Sequence, residues 1–390
     1  MFSHRPTVVE IDLNALAFNY KQIREKVDED IKILAVVKAD GYGHGADIVA
    51  KELENLGVNL LGVALCEEGI ALRKAGIQIP IVLLGSIFQG QVKQTIQYDL
   101  TPVIFDTETA QKLASEAERM DKAVKVHIKI DTGMGRIGVL PTGVEQFFSE
   151  LKKMRNIEIE GVLSHLSSAD GETQEDRDFT ALQLQRFEEC IEEIETIGFS
   201  CPLKHIANSA ATLGLQPSPC NLVRPGLMLY GAYPSPKFTG KICLKPVMSL
   251  KTEIIQIKKV PPGVSISYGR SFVTKRESSI ATLPIGYADG YSRLLSNKGE
   301  VLIGGKKVPI VGVVCMDMVM VDVTEAPLVC VGDEAVLMGR QGYNEISVHD
   351  IAKKTGTISY EIFCAMSKRV PRIYKRDGKI IGKKINAQVI

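Results

Sequence analysis

The stretch Ile33–Gly45, ILAVVKADGYGHG, decides how the rest of the chain is read. Ile33–Val37 is an apolar run of the length of a buried strand. Lys38 stands at its mouth, and a Gly-rich turn with Tyr42 and His44 follows. An ammonium group resists desolvation, so burial lowers its pKa and leaves a nucleophilic amine. Such a lysine can bond covalently to a carbonyl carbon. Position alone favours an ordinary lysine reaching water from a strand end. The motifs around it shift the balance.

Outward from this stretch the same rhythm recurs. Apolar strands are predicted at Ile33–Val37, Leu60–Ala64, Ile81–Leu84, Thr101–Ile104, Val124–Ile130, Ile157–Leu163, Lys204–Ala207 and Asn221–Arg224. Helical stretches fall at Ala46–Leu56, Glu67–Ala75, Gln91–Gln97, Thr107–Arg119, Thr142–Met154 and Phe179–Ile197. Ahead of them, Thr7–Leu13 reads as a strand with an exposed Glu10, and Asn14 as the cap of a helix to about Lys26. Alternation at this spacing implies parallel strands and an α/β fold. Eight units over roughly 230 residues fit a closed (β/α)8 TIM barrel. An open doubly wound sheet usually carries a GxGxxG turn after its first strand, and none is present.

Composition changes after Tyr230. Gly231–Pro246 is rich in Pro, Gly and Lys and reads as a linker. Beyond it strands dominate, at Met248–Ile257, Ser279–Leu283, Glu300–Ile303, Val308–Val314, Met318–Val323 and Ala335–Met338. Short helices are expected at Val348–Thr355 and Tyr360–Ala365. The predicted division is a barrel domain over residues 1–235 and a mostly-β C-terminal domain over 246–390, with 231–246 between them.

Bulk properties bound the function. A chain of 390 residues exceeds one typical domain. Its net charge of +1, with no Lys/Arg run flanked by aromatics, speaks against nucleic acid as a partner. No apolar run approaches membrane-spanning length, and MFSHRPTVVE has no signal-peptide core, so a cytoplasmic protein is expected. The eight cysteines form no CxxC pair and the six histidines no HExxH, so no metal site is expected.

In a barrel of this kind the chemistry sits at the C-terminal strand ends. Lys38 follows the first strand, and His165, in SHLSSAD, closes the sixth. Asn208 and Ser209, in HIANSAAT, follow the seventh. Arg224 ends the eighth, and Gly226 and Leu227 begin the next turn. Loops after strands seven and eight often hold phosphate through backbone N–H groups. A phosphate site opposite a buried lysine suggests pyridoxal phosphate. Singly, Ser209 fits a helix cap, His165 a core histidine and Gly226 a plain turn. Their convergence on one rim carries the reading.

The motifs VVKADGYGHG, KIDTGMGRIG, HIANSAAT, VRPGLMLYG, ISYGRSF, PIGYADG, CMDM and VPRIY run through nearly the whole chain. Together they resemble the alanine racemase family. The resemblance implies a pyridoxal 5'-phosphate enzyme interconverting L- and D-alanine and supplying D-alanine for peptidoglycan. It implies a homodimer whose active sites are shared between subunits. Lys38 would bind the cofactor and act as one acid/base group. Tyr268, from the other subunit, would be the second, because racemisation needs a proton removed from one face and returned to the other. His165 and Arg224 would form a hydrogen-bonded chain behind that tyrosine.

The resemblance also implies that Arg224 faces the ring nitrogen. A guanidinium cannot readily hand over a full proton. The ring would then be a weaker electron sink, which would suppress transamination. Tyr42, Ser209, Gly226, Leu227 and Tyr360 would hold the phosphate, with Asn208 beside them. Arg136, Met316 and Asp317 would bind substrate, and Tyr287 with Tyr360 would narrow the entry. Lys129 matches a lysine often carbamylated in the family; a bare Lys129 paired with Asp131 is the other reading. Rival functions are racemisation of another small amino acid such as serine, a pyridoxal-phosphate-dependent decarboxylase, and a non-catalytic carrier of the cofactor. A decarboxylase is expected to place a carboxylate where Arg224 stands, and a carrier would lack the second domain.

Overall fold

Eight short apolar segments form the wall of a parallel barrel. The computed structural model describes residues 5–215, 220–326, 328–385 and 388–389. After a first strand, β1 (Val8–Asp12), come β2 (Lys32–Val36), β3 (Leu60–Val63), β4 (Ile81–Leu83), β5 (Thr101–Ile104), β6 (Val124–Lys129), β7 (Ile157–Leu163), β8 (Leu203–His205) and β9 (Leu222–Val223). The hydrogen-bonded order is β8-β7-β6-β5-β4-β3-β2-β9. Every residue of β3, β4 and β5 is buried. Helices cover such strands outside and side chains fill the space inside.

The seam between β8 and β9 is closed by a side chain. Asn221 Oδ1 accepts from Lys204 N at 2.8 Å, and Asn221 Nδ2 donates to the Pro202 carbonyl at 2.7 Å. Arg224 N then donates to the Ala207 carbonyl at 2.9 Å. These bonds satisfy backbone groups that a two-residue β9 cannot pair by itself. The expected barrel with a mostly-β domain after it is the observed architecture.

β1 leaves the barrel it precedes. It pairs antiparallel with Met248–Glu253 and parallel with Arg372–Arg376, inside a nine-stranded sheet of the second domain. The sequence division grouped this strand with residues 1–235. Val9 and Ile11 are fully buried on one face. Glu10, on the other, is half-buried between two cations, Lys251 at 3.0 Å and Lys375 at 2.5 Å. Opposite charges on adjacent strands fix this register. The next helix, Leu13–Lys26, is capped by Asp12 rather than Asn14: Asp12 Oδ1 accepts from Asn14 N and Ala15 N.

The predicted strand Met248–Ile257 is two, Met248–Glu253 and Gln256–Val260, which enter different sheets. The second joins Ser278–Leu283 and Val319–Asp322. A small hairpin, Ser265–Ile266 with Phe272–Val273, carries Tyr268 in its turn. The helix Val348–Thr355 has its predicted bounds, set by a Ser347/Asp350 capping box. One apolar core runs from Val9 to Tyr374 and includes residues of both domains. Among the described residues, no helix is long and apolar enough to cross a membrane.

Candidate active site

Immediately after β2 the backbone makes a left-handed turn. Ala39, Asp40, Gly41 and Tyr42 have φ of 53°, 55°, 62° and 52°. Three of these residues carry a Cβ, and each such placement costs about 1–2 kcal/mol. The turn is held by Gly41 N to the Val37 carbonyl (2.8 Å), Gly43 N to the Ala39 carbonyl (2.9 Å) and Gly45 N to the Asp40 carbonyl (2.8 Å). Glu68 fastens it from below, accepting from Ala39 N at 2.6 Å and from Ala64 N at 2.8 Å. Gly43 permits the last close approach: a Cβ there would lie 2.3 Å from the Phe363 carbonyl. The turn thus places Lys38 and Tyr42 on one rim, against the helix Ser359–Ala365.

That rim borders a cavity of about 550 Å³. Its lining includes Lys38, Tyr42, Lys129, Arg136, His165, Asn208, Ser209, Arg224, Gly226, Leu227 and Tyr360. Eleven of the predicted site residues therefore converge there. Ala64, Leu84, Gly85 and Ile358 also line it and were not singled out from sequence. They are apolar or small, and nothing in their local pattern marks them.

Charge in the cavity is arranged against its lysines. Burial, and then the nearby Arg136, lower the Lys38 pKa, with Glu68 acting the other way. Lys129 is 4% exposed and is pushed down to about 8 by burial, then by Arg224 and Arg136. It has no ion-pair partner among the described residues. Asp131, the partner expected in one reading, instead accepts from Gly133 N and Gly135 N at 3.0 Å each. Those bonds shape the loop that presents Arg136.

Arg224 is buried, and burial lowers it to about 10, so it remains a cation near neutral pH. Its Nη1 donates to the His205 carbonyl (2.8 Å) and to His205 Nδ1 (3.0 Å). Its Nη2 donates to the carbonyls of Ser164 (2.7 Å) and Ile206 (3.2 Å) and to His165 Nδ1 (3.1 Å). A guanidinium has no lone pair to accept with, so both imidazoles must receive. Burial and then the Arg224 charge hold His165 and His205 well below the ordinary histidine value, so both rings are neutral. Each therefore carries its proton on Nε2. Both Nη atoms of Arg224 are used, and Nε takes no partner among the described residues.

The opposite wall is a cradle of small groups. Ser209 Oγ accepts from Gly226 N at 2.9 Å, which leaves its own proton to offer elsewhere. A Cβ on Gly226 would lie 2.8 Å from Tyr42 Oη. Asn208 proves to be the cap of the helix Ser209–Gly214, accepting from Ala211 N at 3.1 Å. Tyr42 and Tyr360 stand with ring centroids 5.7 Å apart.

The remaining predicted residues lie elsewhere on the chain. Tyr268, Met316 and Tyr287 are 70%, 52% and 42% exposed and do not line this cavity. They form one face of the second domain. Tyr287 N donates to the Cys315 carbonyl, Ala288 N to the Met316 carbonyl, and Ser267 Oγ to the Val313 carbonyl at 2.7 Å. Asp317 is ion-paired with Arg369 at 2.7 Å. Large apolar side chains left exposed together mark a surface that meets another molecule.

Known proteins resemble the chain over nearly its whole length. The family model for the alanine racemase N-terminal domain matches residues 11–234, and that for the C-terminal domain matches residues 247–374. The alanine racemase of Halothermothrix orenii is 49% identical over 371 residues, covering 95% of this chain and 97% of the relative. That of Geobacter sulfurreducens is 47% identical with the same coverage. Among solved structures, Clostridium difficile 630 alanine racemase superposes with a TM-score of 0.93 at 39% identity, covering 99% of this chain and 100% of that one. The Bacillus anthracis alanine racemase with bound L-Ala-P gives 0.91 at 37% identity, covering 100% and 98%. The chain belongs to the alanine racemase family and is an isomerase, an amino-acid racemase.

Proposed function

We propose that the chain interconverts L- and D-alanine with pyridoxal 5'-phosphate in the Lys38 cavity, using two proton-transfer groups drawn from two copies of the chain. The residues fit this cofactor. Arg224 Nε is a donor without a partner among the described residues, on a cavity-lining residue, and suits a ring nitrogen that accepts. Ser209, Tyr42 and Tyr360 bring three hydroxyl groups to the cavity beside the Gly226 turn, which suits a phosphate. Lys38 would hold the aldehyde carbon, and Tyr42, Ser209, Gly226, Leu227 and Tyr360 the phosphate. When bound, pyridoxal phosphate supplies an electron-withdrawing ring that acidifies the α-carbon of an attached amino acid.

The protein's own groups then move the protons. Lys38, lowered by burial, takes or returns one at the α-carbon from its side. Tyr268 of a second copy does so from the other. A phenol is a poor base at its ordinary pKa of about 10. His165 offers the remedy: with Nδ1 occupied by Arg224, its Nε2–H is available to stabilise a phenolate. Arg136, beside Lys38, suits a substrate carboxylate. Met316, Asp317 and Tyr287 would complete the substrate site from the second copy.

The observation that carries this reading is the separation of the two bases within one chain. Lys38 lines a cavity, and Tyr268 projects from an exposed hairpin outside it. A homodimer with shared sites brings them together. The product, D-alanine, would serve peptidoglycan precursor synthesis. Circular dichroism of a panel of single L-amino acids tests the substrate: loss of optical activity is expected for alanine and much more slowly for serine. Faster racemisation of serine, or release of carbon dioxide from any member, contradicts the assignment.

A further inference from the structure

The chain of hydrogen bonds behind Arg224 does not stop at His205. His205 Nε2 lies 2.8 Å from His127 Nδ1, and His127 Nε2 lies 3.2 Å from Glu160 Oε2. Both histidines are fully buried. The direction of every bond is fixed from one end. Arg224 can only donate, so His205 accepts at Nδ1 and donates from Nε2; His127 then accepts at Nδ1 and donates from Nε2 to the carboxylate. A cation and an anion are joined through two neutral imidazoles, with all three hydrogen bonds running the same way.

The fold makes room for this chain at two points. The β6–β7 register shifts between Val126 and His127: Val126 faces Ile159, but His127 faces Gly161. Glu160 is the extra residue of a β-bulge, and bulges re-aim a side chain. A Cβ on Gly161 would come within 3.0 Å of the His127 ring. Bulge and glycine together let the carboxylate and the imidazole meet. Arg224 has no carboxylate in ion-pair contact among the described residues, and an uncompensated buried guanidinium is costly.

We propose that Glu160 is the counter-ion of Arg224, acting through His127 and His205, and that His127 and Glu160 are positioning residues for the guanidinium. This rests on the assignment of Arg224 to the ring nitrogen. A carboxylate polarises the two rings toward the arginine and holds the Nη edge in one plane, leaving Nε aimed at the cavity. Hydrogen bonding by His127 keeps Glu160 below the ordinary carboxylate value despite partial burial, with Lys125 adding to it. Glu160 is therefore charged near neutral pH.

The test uses the full chain loaded with pyridoxal phosphate. Glu160→Gln keeps an acceptor for His127 but removes the charge; His127→Leu breaks the chain and strands the His205 proton. From the difference between a charge-assisted and a neutral bond, racemisation should fall about three- to tenfold in Glu160→Gln, and from the loss of the whole bond more than about tenfold in His127→Leu. The ratio of pyruvate formed by transamination to alanine racemised should rise in both. Lys125→Gln, which removes the outer partner 3.3 Å from Glu160, should stay within about twofold of the parent.

Nitrogen-15 spectra of histidine-labelled parent protein should show His127 and His205 protonated at Nε2 alone. A proton on Nδ1 of either ring overturns the proposal whatever the variants do. So does a Glu160→Gln enzyme with unchanged rate and unchanged partition, or one that loses only melting temperature. Equal losses in Lys125→Gln and Glu160→Gln would show a merely structural ion pair and overturn it too. A parent protein that racemises no alanine would instead defeat the functional assignment, leaving the tautomers as an independent result.

Discussion

Arg224 Nη2 donates to His165 Nδ1 at 3.1 Å, and this one bond decides which nitrogen of His165 faces outward as a donor. The same guanidinium reaches His205 through Nη1. A lysine has one nitrogen and cannot make both bonds while also facing the cavity. Arg224→Lys should therefore lower kcat by about a hundredfold or more, the loss expected when two charge-assisted bonds go. Steady-state kinetics with a thermal melt checks this. A folded Arg224→Lys enzyme within a factor of two of the parent would show that the fork is dispensable.

Lys129 is a buried amine lowered to about 8. At pH 7 about a tenth of it is unprotonated, far more than of an ordinary lysine. The neutral amine is the form that attacks carbon dioxide, forming an N–C bond and releasing a proton. The carbamate would carry a negative charge toward Arg136 and Arg224, relieving the repulsion that lowers the amine. Native mass spectrometry in bicarbonate should show one added carbon dioxide, its occupancy rising from pH 7 to pH 9. No adduct at any pH, or one that persists in Lys129→Ala, would exclude this site.

Gly43, at φ 79°, lies where the Lys38 turn meets the helix bearing Tyr360. Gly43→Ala introduces a Cβ 2.3 Å from the Phe363 carbonyl. Strain and overlap together should cost about 2–4 kcal/mol. Because the displaced elements carry Lys38 and Tyr360, pyridoxal phosphate should also bind more weakly. Urea denaturation and cofactor titration measure the two. Unchanged cofactor affinity in a destabilised protein would separate the turn from the site.

Glu10 stabilises the junction between β1 and the second domain. Burial raises its pKa, but hydrogen bonds from Lys375 and Lys251 outweigh that, and the net shift is downward from about 4.5. A carboxylate lowered on folding stabilises above its unfolded pKa and loses that contribution as pH falls through the folded value. Glu10→Gln should therefore cost about 1 kcal/mol at pH 7 and almost nothing well below pH 4. Denaturation curves at several pH values test the convergence.

Much of this was legible because strand ends in a barrel are chemically exposed and locally patterned. Lys38, His165, Ser209 and Arg224 each follow an apolar run, and the structure gathers them around one cavity. Long-range choices were not legible. Val8–Asp12 alternates like any half-buried strand, and only its partners Lys251 and Lys375 show why it belongs to the distant sheet. The left-handed turn at Ala39–Tyr42 includes Ala39 and Tyr42, which have no local preference for that conformation; it is imposed by Glu68 and the packing around Gly43. Glu160 sits in an alternating EIEG segment that hides its bulge. His127 and His205 are 78 positions apart and meet only when β6, β7 and β8 lie side by side.

The account depends on Lys38 and Tyr268 of different chains serving one site. Lys38→Ala and Tyr268→Ala chains, each inactive alone, can be dissociated, mixed in equal amounts and allowed to re-associate. Random pairing makes half the dimers hybrid, and each hybrid holds one intact site of two, so about a quarter of the parent activity should return. Hybrids confirmed by native mass spectrometry that regain no activity would contradict a shared site.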